Sequence, residues 1–91
     1  MFLFIVDDCI ENKTDYYGAD VENLFDVESP EDCQLECQAD HRCEYWTFGY
    51  LFGETCILKS AKLQVSQNDI YTSGPKYCPG NMVTKRVFFL K

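Results

Sequence analysis

The sequence predicts a small α+β module that is held together by disulfide bonds and contains one helix and several strands. Six cysteines occur in 91 residues, and an even count in a short chain is typical of a disulfide framework. One segment carries a complete helix start, and another is rich in aromatic residues that favour strands. A chain of this length makes one domain rather than two.

The cysteines leave no free thiol when all of them pair, and they lie at Cys9, Cys33, Cys37, Cys43, Cys56 and Cys78. Cys33 and Cys37 are four residues apart in a helical segment, where Cβ atoms are roughly 5–6 Å apart. A disulfide needs Cβ atoms roughly 3.5–4.5 Å apart. We therefore expect each of these two cysteines to bond to another part of the chain.

The segment Ser29-Pro30-Glu31-Asp32 predicts the start of a helix that runs from about residue 30 to residue 39. The serine hydroxyl can cap the helix, proline suits the first turn, and acidic residues there favour the helix dipole. We expect Gln34 and Gln38 to lie in solvent. Strands are predicted at residues 9–17, 44–50, 55–59 and 70–78, the last interrupted by Ser73-Gly74-Pro75.

The net charge of −7 and the isoelectric point near 4.4 make nucleic acid a poor partner, because binding to phosphate depends on Lys and Arg. The acidic residues form either a solvated surface or a face that meets a basic partner. Three disulfides indicate a secreted protein or one stored in a secretory organelle. No apolar run is long enough to cross a bilayer.

Catalysis is not expected, and we expect no cofactor and no metal. The only histidine, His41, follows the predicted helix, and all cysteines are assigned to bridges, so no nucleophile–base pair is evident. Asp7, Asp8 and Glu11 lack the spacing of a calcium loop and are interpreted as solvated acids. The triplet Asn12-Lys13-Thr14 has the pattern of a glycosylation acceptor and marks a surface position.

The order of cysteines and flanking residues resembles a PAN/apple domain. The resemblance extends from Cys9 to Cys78. It rests on three segments, which are Ser-Pro-Glu-Asp-Cys33-x3-Cys37-x5-Cys43-Glu-Tyr-Trp46-Thr-Phe48, then Cys56-Ile-Leu-Lys59, then Ser73-Gly74-x-Lys76-x-Cys78. It implies one helix packed on a curved antiparallel β-sheet. We expect the domain at residues 7–80 with flexible flanks at 1–6 and 81–91, the latter because it lies beyond the last cysteine. The resemblance also implies three bridges: Cys9–Cys78, Cys33–Cys56 and Cys37–Cys43.

The aromatic residues divide into an expected core and an expected surface. Trp46, Phe48 and Leu58 are interpreted as core residues beside the helix. The tyrosines are too many for so small a core, and exposed tyrosines suit recognition of other proteins. The candidate binding surface is Tyr16, Tyr17, Tyr50 and Tyr71.

The resemblance implies a non-catalytic adhesive module of a larger secreted, tandem-repeat protein. The acidic, compact sequence with Tyr-Tyr-Gly near the first cysteine is most similar to apple domains of coccidian (apicomplexan) microneme adhesins, which serve host-cell invasion. The partner would be a secreted adhesin or a host-surface protein. The alternative is a carbohydrate-binding, lectin-type apple domain, and no sequence motif separates the two.

Overall fold

The computed structural model describes residues 9–50 and 53–78. In chain order they form β1 (Glu11–Tyr17), β2 (Asp20–Phe25), α1 (Pro30–Ala39), β3 (Tyr45–Tyr50), β4 (Glu54–Lys59) and β5 (Gln64–Pro75). The strands make one antiparallel five-stranded sheet in the order β1-β5-β3-β4-β2. The predicted fold class, one helix on an antiparallel sheet with three disulfides, is confirmed. The expected flanks at 1–6 and 81–91 lie outside the described residues.

Helix α1 has the bounds that its local sequence predicts. The Ser29 hydroxyl accepts a hydrogen bond from the backbone N–H of Asp32 (3.1 Å), and Pro30 occupies the first turn. Its buried residues are Cys33 and Cys37. Both pair elsewhere, because the structure contains the bridges Cys33–Cys56, Cys37–Cys43 and Cys9–Cys78. This is the pairing that the family resemblance implies.

The core lies between α1 and one face of the sheet, which we call the inner face. It consists of a cluster of buried residues: Val27, Cys33, Cys37, Cys43, Trp46, Phe48, Cys56 and Leu58. Side chains alternate between the two faces of a strand, so Trp46 and Phe48 share the inner face with Leu58 and Cys56, their register partners on β4. Tyr45, Thr47 and Gly49 of β3 therefore belong to the opposite, outer face.

The sequence did not predict strand β2. Asp20, Glu22 and Asn23 are residue types that are depleted in strands. Among the described strands, β2 pairs only with β4 and forms an edge of the sheet, where charged residues are tolerated and discourage pairing with other chains. Two of its three apolar residues, Val21 and Leu24, pack against the core, and the third, Phe25, is exposed.

The predicted break in the last strand is wrong, because β5 continues through Ser73 and Gly74 to Pro75. Gly74 pairs with Trp46, and a Cβ atom at Gly74 would lie 2.7 Å from Cζ2 of the indole. The indole N–H donates to the carbonyl of Pro75 (2.9 Å). Glycine here makes room for the tryptophan and does not form a turn.

The expectation that Gln34 and Gln38 lie in solvent is also wrong. Their side-chain amides donate to the carbonyls of Pro75 (3.1 Å) and Lys76 (2.9 Å), respectively. These backbone acceptors lie at the end of β5, which passes beside α1. The side of α1 that carries Gln34 and Gln38 therefore holds the end of β5 by hydrogen bonds.

We predict that Trp46→Ala lowers the free energy of unfolding by about 3–5 kcal/mol, the usual cost of truncating a core aromatic residue. Trp46 is fully buried, and the change also removes the hydrogen bond to Pro75. Tyr17→Ala is the control, because Tyr17 is 66% exposed. Chemical denaturation measures both, and equal midpoints for the two variants would contradict the prediction.

We predict that all six cysteines of the purified protein are paired as in the structure. Peptide mapping without reduction is expected to give Cys9 linked to Cys78, and Cys33 linked to Cys56. A fragment that joins Cys9 to Cys33 or to Cys56 would show that the connectivity is different.

Candidate binding surface

Tyr16, one of the four candidate tyrosines, is buried, so its expected place on a binding surface is wrong. It is 2% exposed, and its ring packs edge-on against Tyr45 with the ring centres 5.9 Å apart. Its backbone N–H donates to the hydroxyl of Thr47 (3.4 Å), and its own hydroxyl donates to the carboxylate of Glu11. Burial and the bond to Glu11 raise the pKa of Tyr16. Tyr16 fastens β1 onto the outer face of the sheet.

Tyr17 and Tyr50 are exposed, but they lie apart in the fold. Tyr17 is 66% exposed and points away from the side that buries Tyr16, because neighbours on a strand face opposite ways. Tyr50 ends β3 and is 61% exposed, while its ring packs edge-on against Phe48 at 5.9 Å. Each offers a rigid aromatic surface with a polar tip.

Tyr71 belongs to a row of four residues that are register partners across the sheet. Phe25 pairs with Thr55, Thr55 with Gly49, and Gly49 with Tyr71, so all four share the outer face. Thr55 is fully buried, whereas Phe25 is 56% exposed. We call Phe25, Thr55, Gly49 and Tyr71 the outer row. It has an aromatic residue at each end and two small residues between them.

Gly49 is required by the position of Tyr71. A Cβ atom at Gly49 would lie 2.2 Å from Cδ1 of the Tyr71 ring and 2.9 Å from the carbonyl oxygen of Ile70. The ring therefore lies across the glycine backbone. Burial raises the pKa of Tyr71, and the negative charge of Asp15 adds to that rise.

A buried charged group lies on the same outer face, at the opposite end of β4 from the outer row. Lys59 is 3% exposed, and its ammonium donates to the carbonyl of Gly18 (3.2 Å) and to the carboxylate of Asp20. Burial raises the pKa of Asp15, while the charge of Lys59 opposes this rise and that of Asp20 adds to it. In the sequence, Lys59 stands out only as part of the motif Cys56-Ile-Leu-Lys59. Phe25 was not identified as a surface residue, because β2 was not predicted.

The outer row is a candidate binding surface. His41 is exposed in the loop after α1, so it is not part of the outer row. In the described ranges, 9–50 and 53–78, no three potential metal ligands cluster. The same ranges contain no helix that is long and apolar enough to cross a membrane.

We predict that Asp20→Ala destabilises the fold more than Lys59→Met. The lysine side chain is 4% exposed and that of Asp20 is 53% exposed. Removing Asp20 leaves a buried ammonium without its closest carboxylate, whereas removing Lys59 returns a half-exposed carboxylate to water. The expected loss for Asp20→Ala is about 2–3 kcal/mol, below that of a fully buried pair. Denaturation of both variants at neutral pH tests this, and a larger loss for Lys59→Met would contradict it.

A comparison with family models identifies residues 14–59 as a PAN domain. The match runs from within β1 to the end of β4 and covers just over half of the chain. No curated protein matches the chain. PAN domains are generally protein- or carbohydrate-binding modules and are typically non-catalytic, and a disulfide-rich PAN domain is consistent with a secreted or extracellular protein. From its helix, its sheet, its three disulfides and this match, the chain belongs to the PAN domain family.

Proposed function

We propose that this PAN domain is an adhesive module of a larger secreted protein with tandem repeats, and that it recognises another protein. The observation that carries the proposal is the exposure of aromatic side chains on the rigid strands of the sheet. Tyr17, Phe25 and Tyr50 each have more than half of their side-chain surface exposed. Aromatic residues of this kind supply much of the binding energy at protein interfaces.

The outer row is the proposed contact surface, with Tyr50 and Tyr17 as additional contacts at other places on the module. Thr55 and Gly49 in the middle of the row are buried, and the Tyr71 ring lies across Gly49, so a partner would contact the exposed ring of Phe25 and the outer side of the Tyr71 ring. The strands hold both rings in place before binding, which reduces the entropy lost on association.

The sequence resemblance to apple domains of coccidian microneme adhesins supports a more specific proposal. The partner would be a host-surface protein or another adhesin of the same complex, and the module would serve host-cell invasion. A net charge of −7 favours a partner whose surface is basic, because opposite charges assist association.

Carbohydrate binding is the second candidate, and one observation favours it. Tyr71 lies on the outer face close enough to Asp15 for the carboxylate charge to affect the pKa of the phenol. An aromatic ring beside a hydrogen-bonding carboxylate suits stacking on a sugar ring together with bonds to its hydroxyls.

We predict that one copy of the chain binds weakly and that two linked copies bind roughly 10²–10⁴ times more tightly by avidity, without any new contact. The measurement compares a single chain with a tandem of two chains on cultured animal cells and on a glycan array. Cells treated with protease are expected to lose binding, whereas removal of their glycans is expected to leave it intact. Tight binding of the single chain to a simple sugar would contradict the protein partner and the avidity.

Matched variants locate the contact. Phe25→Ala is introduced in both copies of the tandem. Each substitution is expected to weaken its own contact with the cell surface at least tenfold, which is about 1.4 kcal/mol. Leu35→Ala is the control, because Leu35 is a 60% exposed apolar residue on α1, away from the outer row. Equal losses for the two variants would place the contact elsewhere.

A further inference from the structure

The triplet Asn12-Lys13-Thr14 lies on β1, at an edge of the sheet. It has the pattern Asn-x-Thr, with a residue other than proline in the middle, that N-glycosylation requires. We propose that Asn12 is a site of N-glycosylation. The modification would form a bond between the side-chain amide nitrogen of Asn12 and the anomeric carbon of an oligosaccharide, while the bond from that carbon to the diphosphate of a lipid-linked donor breaks. The lipid diphosphate is the leaving group, and the amide nitrogen gives up one proton.

The position of Asn12 in the sheet is compatible with a large substituent. Its side chain is exposed, and β1 has only β5 as a strand neighbour among the described strands. Glu11 and Lys13 beside Asn12 are exposed as well, so the start of β1 is open to solvent, whereas Tyr16 further along the strand packs against β3. The folded module can carry a glycan here without displacing any part of the core.

The backbone around the acceptor departs from a regular strand. Asn12 pairs with Thr72 but Thr14 pairs with Gln67, so the register shifts between them. Lys13 has a φ angle of 55°, in the left-handed region. The hydroxyl of Thr14 donates to the backbone carbonyl of Asn12 (2.9 Å), so the two residues that define the acceptor lie together at the irregularity.

The order of folding also favours modification. Glycan transfer needs an extended, accessible acceptor, and β1 cannot pair until β5 has been made. The register partner Thr72 lies 60 residues after Asn12 in the chain (72 minus 12). At about 5–20 residues per second, synthesis of this stretch takes roughly 3–12 s. Asn12 therefore remains free of its strand partner through this interval.

The sequence offers a single acceptor. Asn23, Asn68 and Asn81 are followed two positions later by Phe25, Ile70 and Val83, none of which carries a hydroxyl. A glycan at Asn12 would cover the open edge of β1, where an unprotected strand can pair with another chain. The outer row would then remain available on the sheet.

The experiment expresses the chain behind a secretory leader in animal cells, together with a known glycoprotein. The wild type and Thr14→Ser, which keeps the acceptor pattern, are expected to show added glycan mass that peptide N-glycosidase removes while converting Asn12 to Asp. Asn12→Gln and Thr14→Ala are expected to lose that mass.

Glycan transfer precedes folding, so the retained intracellular protein is analysed beside the secreted protein, and a variant that fails to fold still gives a result. An unmodified Asn12 in the wild type, with the companion glycoprotein modified, would overturn the proposal. Retention of the glycan by Thr14→Ala would also overturn it. Neither result bears on the adhesive function, which the cell-binding measurement tests separately.

Discussion

The attachment of the helix to the sheet depends on the disulfide bond between Cys33 and Cys56, which joins α1 to β4. The only buried residues of α1 are Cys33 and Cys37, and its leucine, Leu35, is exposed. The helix thus has no apolar stripe of the kind that normally holds a surface helix in place. The bridge to Cys56 supplies the missing contact with the sheet, and the bridge from Cys37 to Cys43 ties the end of the helix to the segment before β3. Trp46 belongs to the same buried cluster. In the chain-entropy model, bridges that span 6, 23 and 69 residues contribute about 2, 3.5 and 4.5 kcal/mol.

The two faces of the sheet are stabilised in different ways. The inner face is filled by sulfur and apolar side chains. On the outer face the Thr47 and Ser73 hydroxyls bond to each other (2.7 Å), Ser73 donates to the carbonyl of Thr14 (2.8 Å), and Tyr16 covers them. Buried polar groups that are fully bonded make a face rigid. Gly49 and Tyr71 of the outer row lie two residues along β3 and β5 from this network, which holds that end of the row in place.

Features that arise from neighbours in the chain were predictable. Ser29 and Pro30 specify where α1 begins, and the alternation around Trp46 and Phe48 specifies which side of β3 faces the core. The spacing of Cys33 and Cys37 excludes a bond between them, although their partners came from the family resemblance. Features that arise from distant neighbours were not predictable. β2 has acidic residues that look like a loop, and it is a strand because β4 provides hydrogen-bond partners at the sheet edge.

The sequence by itself determined a small, disulfide-bonded α+β domain with a single helix and a recognisable family pattern, because caps, alternation and cysteine spacing are local properties. The tertiary structure decided which aromatic residues are available to a partner. Tyr16 and Tyr17 are adjacent and chemically identical, yet the first is buried by β3 and the second is exposed. Burial depends on which strands meet in the sheet. The outer row exists only because β2 and β5, which are distant in the chain, pair with the two strands of the β3–β4 hairpin and align Phe25, Thr55, Gly49 and Tyr71 side by side.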